Sequence, residues 1–549
     1  MIMRRGFSIF LMLAAFLSAS AQQKLDPPRL TVKEPTFARM SDAKVSWGPV
    51  EGADSYSVKL NGEVIDVIGN SLYLAGKVGQ HTVEVIAKSS KGLEQSLPST
   101  ATINVRDYGE GTLRRPYMIY DKNDWNLFAQ AVTNNHFGNK GFEGEVVALA
   151  ANIDFGGEKI SPVGKNYATG FRGVFDGKGR TLKNAVLEGK GGLGLFVSFH
   201  GMMKNLKAVN ITVKSTVTKP SDGRCAVICG GEATGQFYNC MVTGSTIEVG
   251  GEGEVGTLAG TIASVLNSPN ALVDRCIAMN NKISVGNSHA SALVARVTAG
   301  TVRNCIAQNN EVYAGVRFAS GVTALVCGPY AAVDHCLSSS NQITCKVFYA
   351  AGVAAEITSG VVVNCTSDSN VISVEERRCV GGVAGMIRKE GNLINCLSKN
   401  CTLNAKKAKE PFAGLIFANA EKGLTGTIAN CLALSGSVNV FSSASGYIGI
   451  VGGSLADPYR CSECFYSEDL ITQYNKTQSG RFYGFGRSGS GGSNYDCGFP
   501  AKKSALESMS SDSILNRLNS SVYRLTSFGA SEWVRGADGF PSIKLVYSI

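Results

Sequence analysis

Seven cysteines, Cys240, Cys276, Cys305, Cys336, Cys365, Cys396 and Cys431, stand 36, 29, 31, 29, 31 and 35 residues apart and behave as one position, repeated. Asn precedes five of them, at 239, 304, 364, 395 and 430. Three residues before each comes an apolar side chain: Phe237, Val273, Val302, Val333, Val362, Leu393 and Ile428. Seven residues after each comes another: Ile247, Ile283, Val312, Ile343, Ile372, Leu403 and Val438. Asn281, Asn310, Asn341 and Asn370 follow four consecutive cysteines by five residues, where a left-handed turn favours Asn. Small residues fill the stretches between, as in Cys379-Val380-Gly381-Gly382-Val383-Ala384-Gly385.

A period near 30 is too long for a heptad, and its β-branched, Gly-rich windows lack the spacing of an α-solenoid. It predicts one coil of a parallel β-helix per repeat, with three short strands and three bends. Length supports an elongated body, since 549 residues exceed what one compact core serves. Composition agrees: 64 Gly, 14 Pro and 17% charged residues suit short strands and tight turns over disorder.

The first residues have the parts of a secretory leader: Arg4 and Arg5, an apolar run from Ile9 to Leu17, then Ala19-Ser20-Ala21. This predicts a signal peptide over 1–21, cleaved after Ala21, and a periplasmic, cell-surface or secreted protein. No cysteine follows that site to take a lipid, and no later segment approaches the ~20 apolar residues of a membrane helix. The formal charge of +10 includes the two leader arginines and no leader acid, leaving +8 on the mature chain. The basic residues are scattered apart from Lys406, Lys407 and Lys409, which excludes the basic-aromatic stripe of a nucleic-acid binder.

Residues 27–106 read as alternating strands, with Val45-Ser46-Trp47, Ser55-Tyr56-Ser57-Val58, His81 to Ala87, and a closing Pro98-Ser99. Trp47 and Tyr56 would fill the space between two sheets. The order resembles a fibronectin type III domain, a β-sandwich that in that family mostly spaces or binds. From 110 to 455 the solenoid is expected, opened by a short capping helix after Asp121 that carries Trp125, Leu127, Phe128, Ala131 and Val132. Residues 456–549 read as a loop-rich C-terminal cap.

Pro116-Tyr117, Phe175-Asp176-Gly177-Lys178-Gly179, Gly194-Leu195-Phe196 and the repeated Gly-Gly-x-Ala-Gly … Asn-Cys pattern resemble bacterial surface proteins built from GLUG-type repeats. The likeness spans about 110 to 455, and Trp533 … Gly539-Phe540-Pro541-Ser542-Ile543 is similar to the closing cap of such proteins. It implies a right-handed β-helix on the cell exterior, with adhesion or substrate binding as the common roles and no fixed chemistry.

Sixteen cysteines in an exported chain suggest disulfides, but stacked in-register side chains do not adopt the disulfide torsion, so the repeated seven read as a reduced structural ladder. Cys461-Ser462-Glu463-Cys464 with Cys497 suits a disulfide better than zinc, with pairing among Cys225, Cys229, Cys461, Cys464 and Cys497 left open. No metal or cofactor is expected. Gly189-Lys190-Gly191-Gly192-Leu193-Gly194 lacks the following helix of a phosphate loop.

Hydrolysis of a glycan needs two facing carboxylates, and acids recurring at one offset on neighbouring coils would announce them. Asp274, Asp334 and Asp368 do not, and the five histidines share no offset and no Ser or Cys partner pattern. The residue after each repeated cysteine is apolar in six of seven copies (Met241, Ile277, Ile306, Leu337, Leu397, Leu432; Thr366 departs), an outward stripe suited to a cover or a partner. The Gly- and Ser-rich region 473–499 interleaves Tyr474, Phe482, Tyr483, Phe485 and Tyr495 with Lys476, Arg481 and Arg487, a pattern suited to a glycan or protein surface partner. The expectation is a non-catalytic exported binding or adhesion scaffold; its alternative is a polysaccharide-degrading enzyme, lyase or glycoside hydrolase, on the same solenoid.

Overall fold

A computed structural model describes the chain except for residues 1–22, 38–41, 136–139, 217–222, 251–256, 407–408, 442–445, 457–459, 476–484, 489–496, 509, 511–512 and 545–549. The leader and most of the aromatic loop lie outside the described residues. Internal contacts divide the chain into two units, 1–108 and 109–549.

The first unit holds a three-stranded antiparallel sheet (Leu30–Lys33, Lys44–Trp47, Ser71–Tyr73) and a four-stranded one (Glu63–Ile65, Ser55–Leu60, Gly79–Lys88, Ser99–Val105). Alternation along Lys44–Trp47 and Gly79–Lys88 sends Val45, Trp47, Val83 and Val85 into one core, with Trp47 edge-on to Tyr56 at 5.7 Å.

The second unit is an all-β parallel solenoid of about 11 turns of roughly 31 residues. Each full coil has four strands, where three were expected. One coil runs Ile277–Met279, Lys282–Val285, His289–Ser291 and Val294–Arg303, and each pairs in parallel with its counterpart a turn away. These four positions define four faces, in chain order. The extra face arises because a bend at Ala292 and Leu293 splits the small-residue stretch into a short strand and a long, bulged one. Coils continue in register past residue 455, through Cys464–Ser467, Ile471–Asn475 and Cys497–Ala501.

The seven repeated cysteines stack in register beside the first face, all buried and all free thiols. Burial pushes Cys305 and Cys365 well above the ordinary thiol range, so both stay protonated. Cys464 extends the row, and Cys461 is disulfide-bonded; the side chain of Cys497 lies outside the described residues.

The asparagine expectation is corrected. Left-handed backbone falls just before each cysteine (Asn239, Arg275, Asn304, His335, Asn364, Asn395, Asn430) and four residues after several (Asn280, Asn309, Ser340, Ser369, Asn400). Asn281, Asn310, Asn341 and Asn370 point inward instead, buried, the first three each donating its amide to the next asparagine's oxygen at 2.9–3.0 Å and Asn370 donating to Ser338 O and Ser367 Oγ. A buried amide needs all its partners, and the coil above supplies them.

Helix α1 (Lys122–Thr133) is capped by Asp121, whose side chain accepts from the backbone of Asn123 and Asp124. Its Trp125 and Phe128 bury against Phe155, Phe171, Phe175 and Phe196. At the other end of the chain, α2 (Lys503–Glu507), α3 (Ile514–Val522) and a hairpin of Trp533–Arg535 with Pro541–Ile543 lie on the first face. Leu506, Leu518, Trp533 and Ile543 cover Leu397, Leu432 and Phe465, so this part of the outward apolar stripe is closed by the chain itself. Among the described residues no helix is long and apolar enough to cross a membrane.

Candidate functional site

The third and fourth faces meet in a concave corner whose floor is set by small side chains. Ala295, Ala324, Ala355, Gly385 and Ala418 occupy equivalent positions at the start of the fourth face. A Cβ at Gly385 would stand 2.5 Å from the Ala355 carbonyl oxygen and 3.3 Å from Cβ of Tyr349, so only glycine fits beneath that ring. This row of missing bulk leaves room for large side chains on the third face.

There His289, Phe318, Tyr349, Cys379, Phe412 and Tyr447 stand one above another, coil by coil. Phe318 and Tyr349 stack face to face at 5.2 Å and 9°, and Phe412 and Tyr447 stack at 5.1 Å. His289 sits edge-on to Phe318 at 4.6 Å. It is fully buried, and the loss of solvent, with Arg296 and Arg317 adding to it, depresses its pKa to about 3. Burial pushes the Tyr349 hydroxyl up and drives Cys379 far above the ordinary thiol range.

The opposite wall carries charge. Arg388 donates from Nη2 to the Tyr349 hydroxyl at 2.8 Å, and its Nε and Nη1 face Glu356 at 3.3 Å and Glu421 at 2.9 Å. Glu356, Arg388 and Glu421 come from three successive coils, so one guanidinium holds two carboxylates from either side. The resulting cavity of about 360 Å³ is lined by Arg317, Phe318, Phe348, Tyr349, Glu356, Thr358, Arg388 and Lys389, three cations against one anion. Further along, the buried Nε of Arg296 has no hydrogen-bond partner among the described residues. A second depression of about 410 Å³ lies on the second face around Lys282, Glu311, Tyr313 and Gln342; it carries a single aromatic ring.

Of the sequence-predicted partner residues, Phe485 is buried, its ring 6.1 Å from Phe417. Tyr474 and Arg487 lie on strands Ile471–Asn475 and Phe485–Ser488, with their side chains outside the described residues. Arg481, Phe482, Tyr483 and Tyr495 fall wholly outside them. Ile277 and Ile306 are buried and Leu337 partly so. Among the described residues no group of three or more His, Cys, Asp or Glu side chains is arranged to hold a metal.

No protein-family model matches the chain, and no curated protein does. Solved structures are similar to it. One, from Bacteroides ovatus and described as a candidate immunoglobulin A1 protease, shares 15% identity with a TM-score of 0.30, covering 80% of this chain and 95% of that one. A family 28 exopolygalacturonase from Yersinia enterocolitica shares 11% identity with a TM-score of 0.25, over 87% of this chain and 99% of that one. An IgA1 protease shares 12% identity with a TM-score of 0.27, over 82% of this chain and 30% of that one.

The expectation of a non-catalytic binding or adhesion scaffold is corrected. The three structures named above carry the descriptions of enzymes. The premise of the expectation also fails on geometry. The expectation requires acids at one recurring offset, whereas Glu356 and Glu421 occupy different rows and meet because Arg388 on the coil between them reaches both. The signal that could have found them was charge in the otherwise apolar stretches after Gly352, Gly385 and Phe417.

Proposed function

We propose that the chain is an exported polysaccharide-degrading enzyme, a glycoside hydrolase that takes an anionic glycan along the corner groove. The observation that carries this reading is the pair Glu356 and Glu421, held two coils apart by Arg388 beside the Phe318–Tyr349 stack. Contacts of 3.3 Å and 2.9 Å to one guanidinium set the facing carboxylate oxygens at most roughly 8.5 Å apart. Inverting hydrolysis places its carboxyl groups roughly 6.5 to 9.5 Å apart, leaving room for the attacking water. Freed from Arg388, one of the two carboxyl groups would protonate the glycosidic oxygen and the other activate water. The stacked rings offer apolar faces to sugar rings. Arg317, Lys389 and the buried Nε of Arg296 favour a sugar bearing a carboxylate, which in competing for Arg388 would release the two glutamates.

Export rests on the leader over 1–21 and cleavage after Ala21. Around the groove, residues 27–106 would act as a fibronectin type III-like spacer, the solenoid of GLUG-like coils would run from 110 past 455 to Ala501, α1 would cap its first coils, and the helices and hairpin after it would close it. Tyr474, Arg481, Phe482, Tyr483, Arg487 and Tyr495 would add an outer glycan contact. The test is incubation of the mature chain with uronate-bearing and neutral polysaccharides, following reducing ends and the anomeric configuration of the first product by NMR. Release from the uronate polymers with inverted configuration is expected; no release from any of them overturns the reading, and unsaturated products would replace hydrolysis by elimination.

A further inference from the structure

Where the C-terminal segment crosses the first face, it brings a serine to a histidine 196 residues earlier in the chain. Ser531 Oγ lies 3.1 Å from Nε2 of His335, and Nδ1 of His335 lies 2.6 Å from Oδ1 of Asp334. We propose that Ser531, His335 and Asp334 form a second reactive centre, independent of the groove, that hydrolyses esters of short acyl groups.

The row to which His335 belongs argues for a role beyond turning the chain. Its backbone is left-handed at every coil, and Asn fills it at 304, 364, 395 and 430, the residue that tolerates this conformation best. His335, at φ 47°, departs from Asn as Arg275 and Glu463 do, and sets its ring against Ser531. The amide chain that joins Asn430 to Asn395 and Asn395 to Asn364 ends at Asp334, whose Oδ1 accepts from Asn364 Nδ2 at 2.7 Å. Asp334 thereby has a fixed orientation beside Nδ1 of His335, to which Asn364 Nδ2 also comes within 3.4 Å; in the tautomer protonated on Nδ1, the Nε2 lone pair is left for the Ser531 hydroxyl proton.

Ser531 is fixed as firmly. Its N–H donates to Asn364 Oδ1 at 2.9 Å and its carbonyl accepts from Asn395 Nδ2 at 2.8 Å. The next residue, Glu532, is exposed, and its backbone N–H makes no hydrogen bond among the described residues. The amide after a nucleophile is a recurrent oxyanion donor. Ala530, next to the serine in the chain, packs with Val361 and Phe528 against Val363, Ile394, Ala429 and Leu525, an apolar cluster that suits an acyl chain over a charged group.

The reaction balances with water alone. Ser531 Oγ attacks the ester carbonyl carbon while its proton passes to Nε2 of His335. The carbon–alkoxide bond then breaks, and the departing alcohol takes that proton. Water, deprotonated in turn by Nε2, attacks the acyl-serine, and the carboxylic acid leaves with Ser531 restored.

The experiment uses the full mature chain with a fluorophosphonate probe and with p-nitrophenyl acetate. The expected result is a probe adduct mapped to the Ser531 peptide and ester turnover that Ser531→Ala abolishes. His335→Asn, which restores the residue the row favours, should slow labelling at least a hundredfold with the melting temperature unchanged, an outcome that a purely structural histidine would not give. Absence of an adduct on Ser531, or turnover that survives Ser531→Ala, overturns the proposal and leaves His335 and Ser531 as fasteners of the terminal segment.

Discussion

The Arg388 guanidinium touches Tyr349 twice over: Nη2 donates to its hydroxyl at 2.8 Å, and the guanidinium carbon lies 6.0 Å from the centre of its ring. The tyrosine therefore fixes the cation that holds Glu356 and Glu421, while its own ring forms half of the stacked platform.

Tyr349→Phe keeps the platform and removes one charge-assisted hydrogen bond, an interaction worth about 1.5 to 3 kcal/mol. Turnover on a uronate polymer should fall about tenfold or more. Tyr349→Ala should in addition raise KM, because the stacking surface goes with the ring. Steady-state kinetics of the two variants checks this; equal KM values would mean that the substrate does not lie on the ring.

Asn341 receives two donors from Asn310, its backbone N–H and its side-chain amide, and gives its own amide to Asn370, Ala307 and Ser338. Asn341→Ala leaves several buried groups unpartnered at about 1 to 3 kcal/mol each, so a loss of roughly 3 to 5 kcal/mol is expected. Ser339→Ala, on the outer side of the neighbouring strand, should cost under about 0.5 kcal/mol. Urea denaturation distinguishes the two, and similar midpoints would contradict a buried amide ladder.

The sequence showed this ladder without showing its direction. Asn at one repeated offset suits a left-handed turn and suits a stacked amide equally well, and nothing local distinguishes them; the turn fell one residue earlier, at Asn280 and Asn309. The cysteine row was legible because a small buried side chain must recur wherever identical coils stack, as Cys305, Cys336 and Cys365 do. The groove was not, because its rows vary from coil to coil: His289, Phe318, Tyr349 and Cys379 share one position and no chemical type. Its charged wall crosses rows, so Glu356 and Glu421 meet only through the coil between them. Ser531 and His335 are joined by a terminal segment whose docking no periodicity announces.

His289 makes stability depend on pH. Its pKa falls from 6.5 when unfolded to about 3 when folded, because burial disfavours the charged ring. Above pH 6.5 neither state is protonated and the group is neutral in its effect. Between about 6.5 and 3 the unfolded chain takes up a proton that the folded one excludes, so stability declines by up to about 1.4 kcal/mol per pH unit. His289→Phe, which continues the aromatic row, should remove this component. Melting temperatures of the variant and the parent between pH 7 and pH 4.5 should diverge as the pH falls, and parallel curves would contradict the assignment.

The groove stands or falls on the two glutamates, and the deciding measurement is kcat and KM for Glu356→Gln and Glu421→Gln on the best uronate-bearing substrate. Both replacements preserve shape and a hydrogen-bonding group toward Arg388. Proton transfer by a placed carboxyl contributes about a hundred- to ten-thousandfold. Each variant should therefore lose at least about a hundredfold in kcat, with KM within about threefold of the parent. Retention of more than a tenth of kcat by either variant would contradict the assignment of Glu356 and Glu421 as the hydrolytic pair.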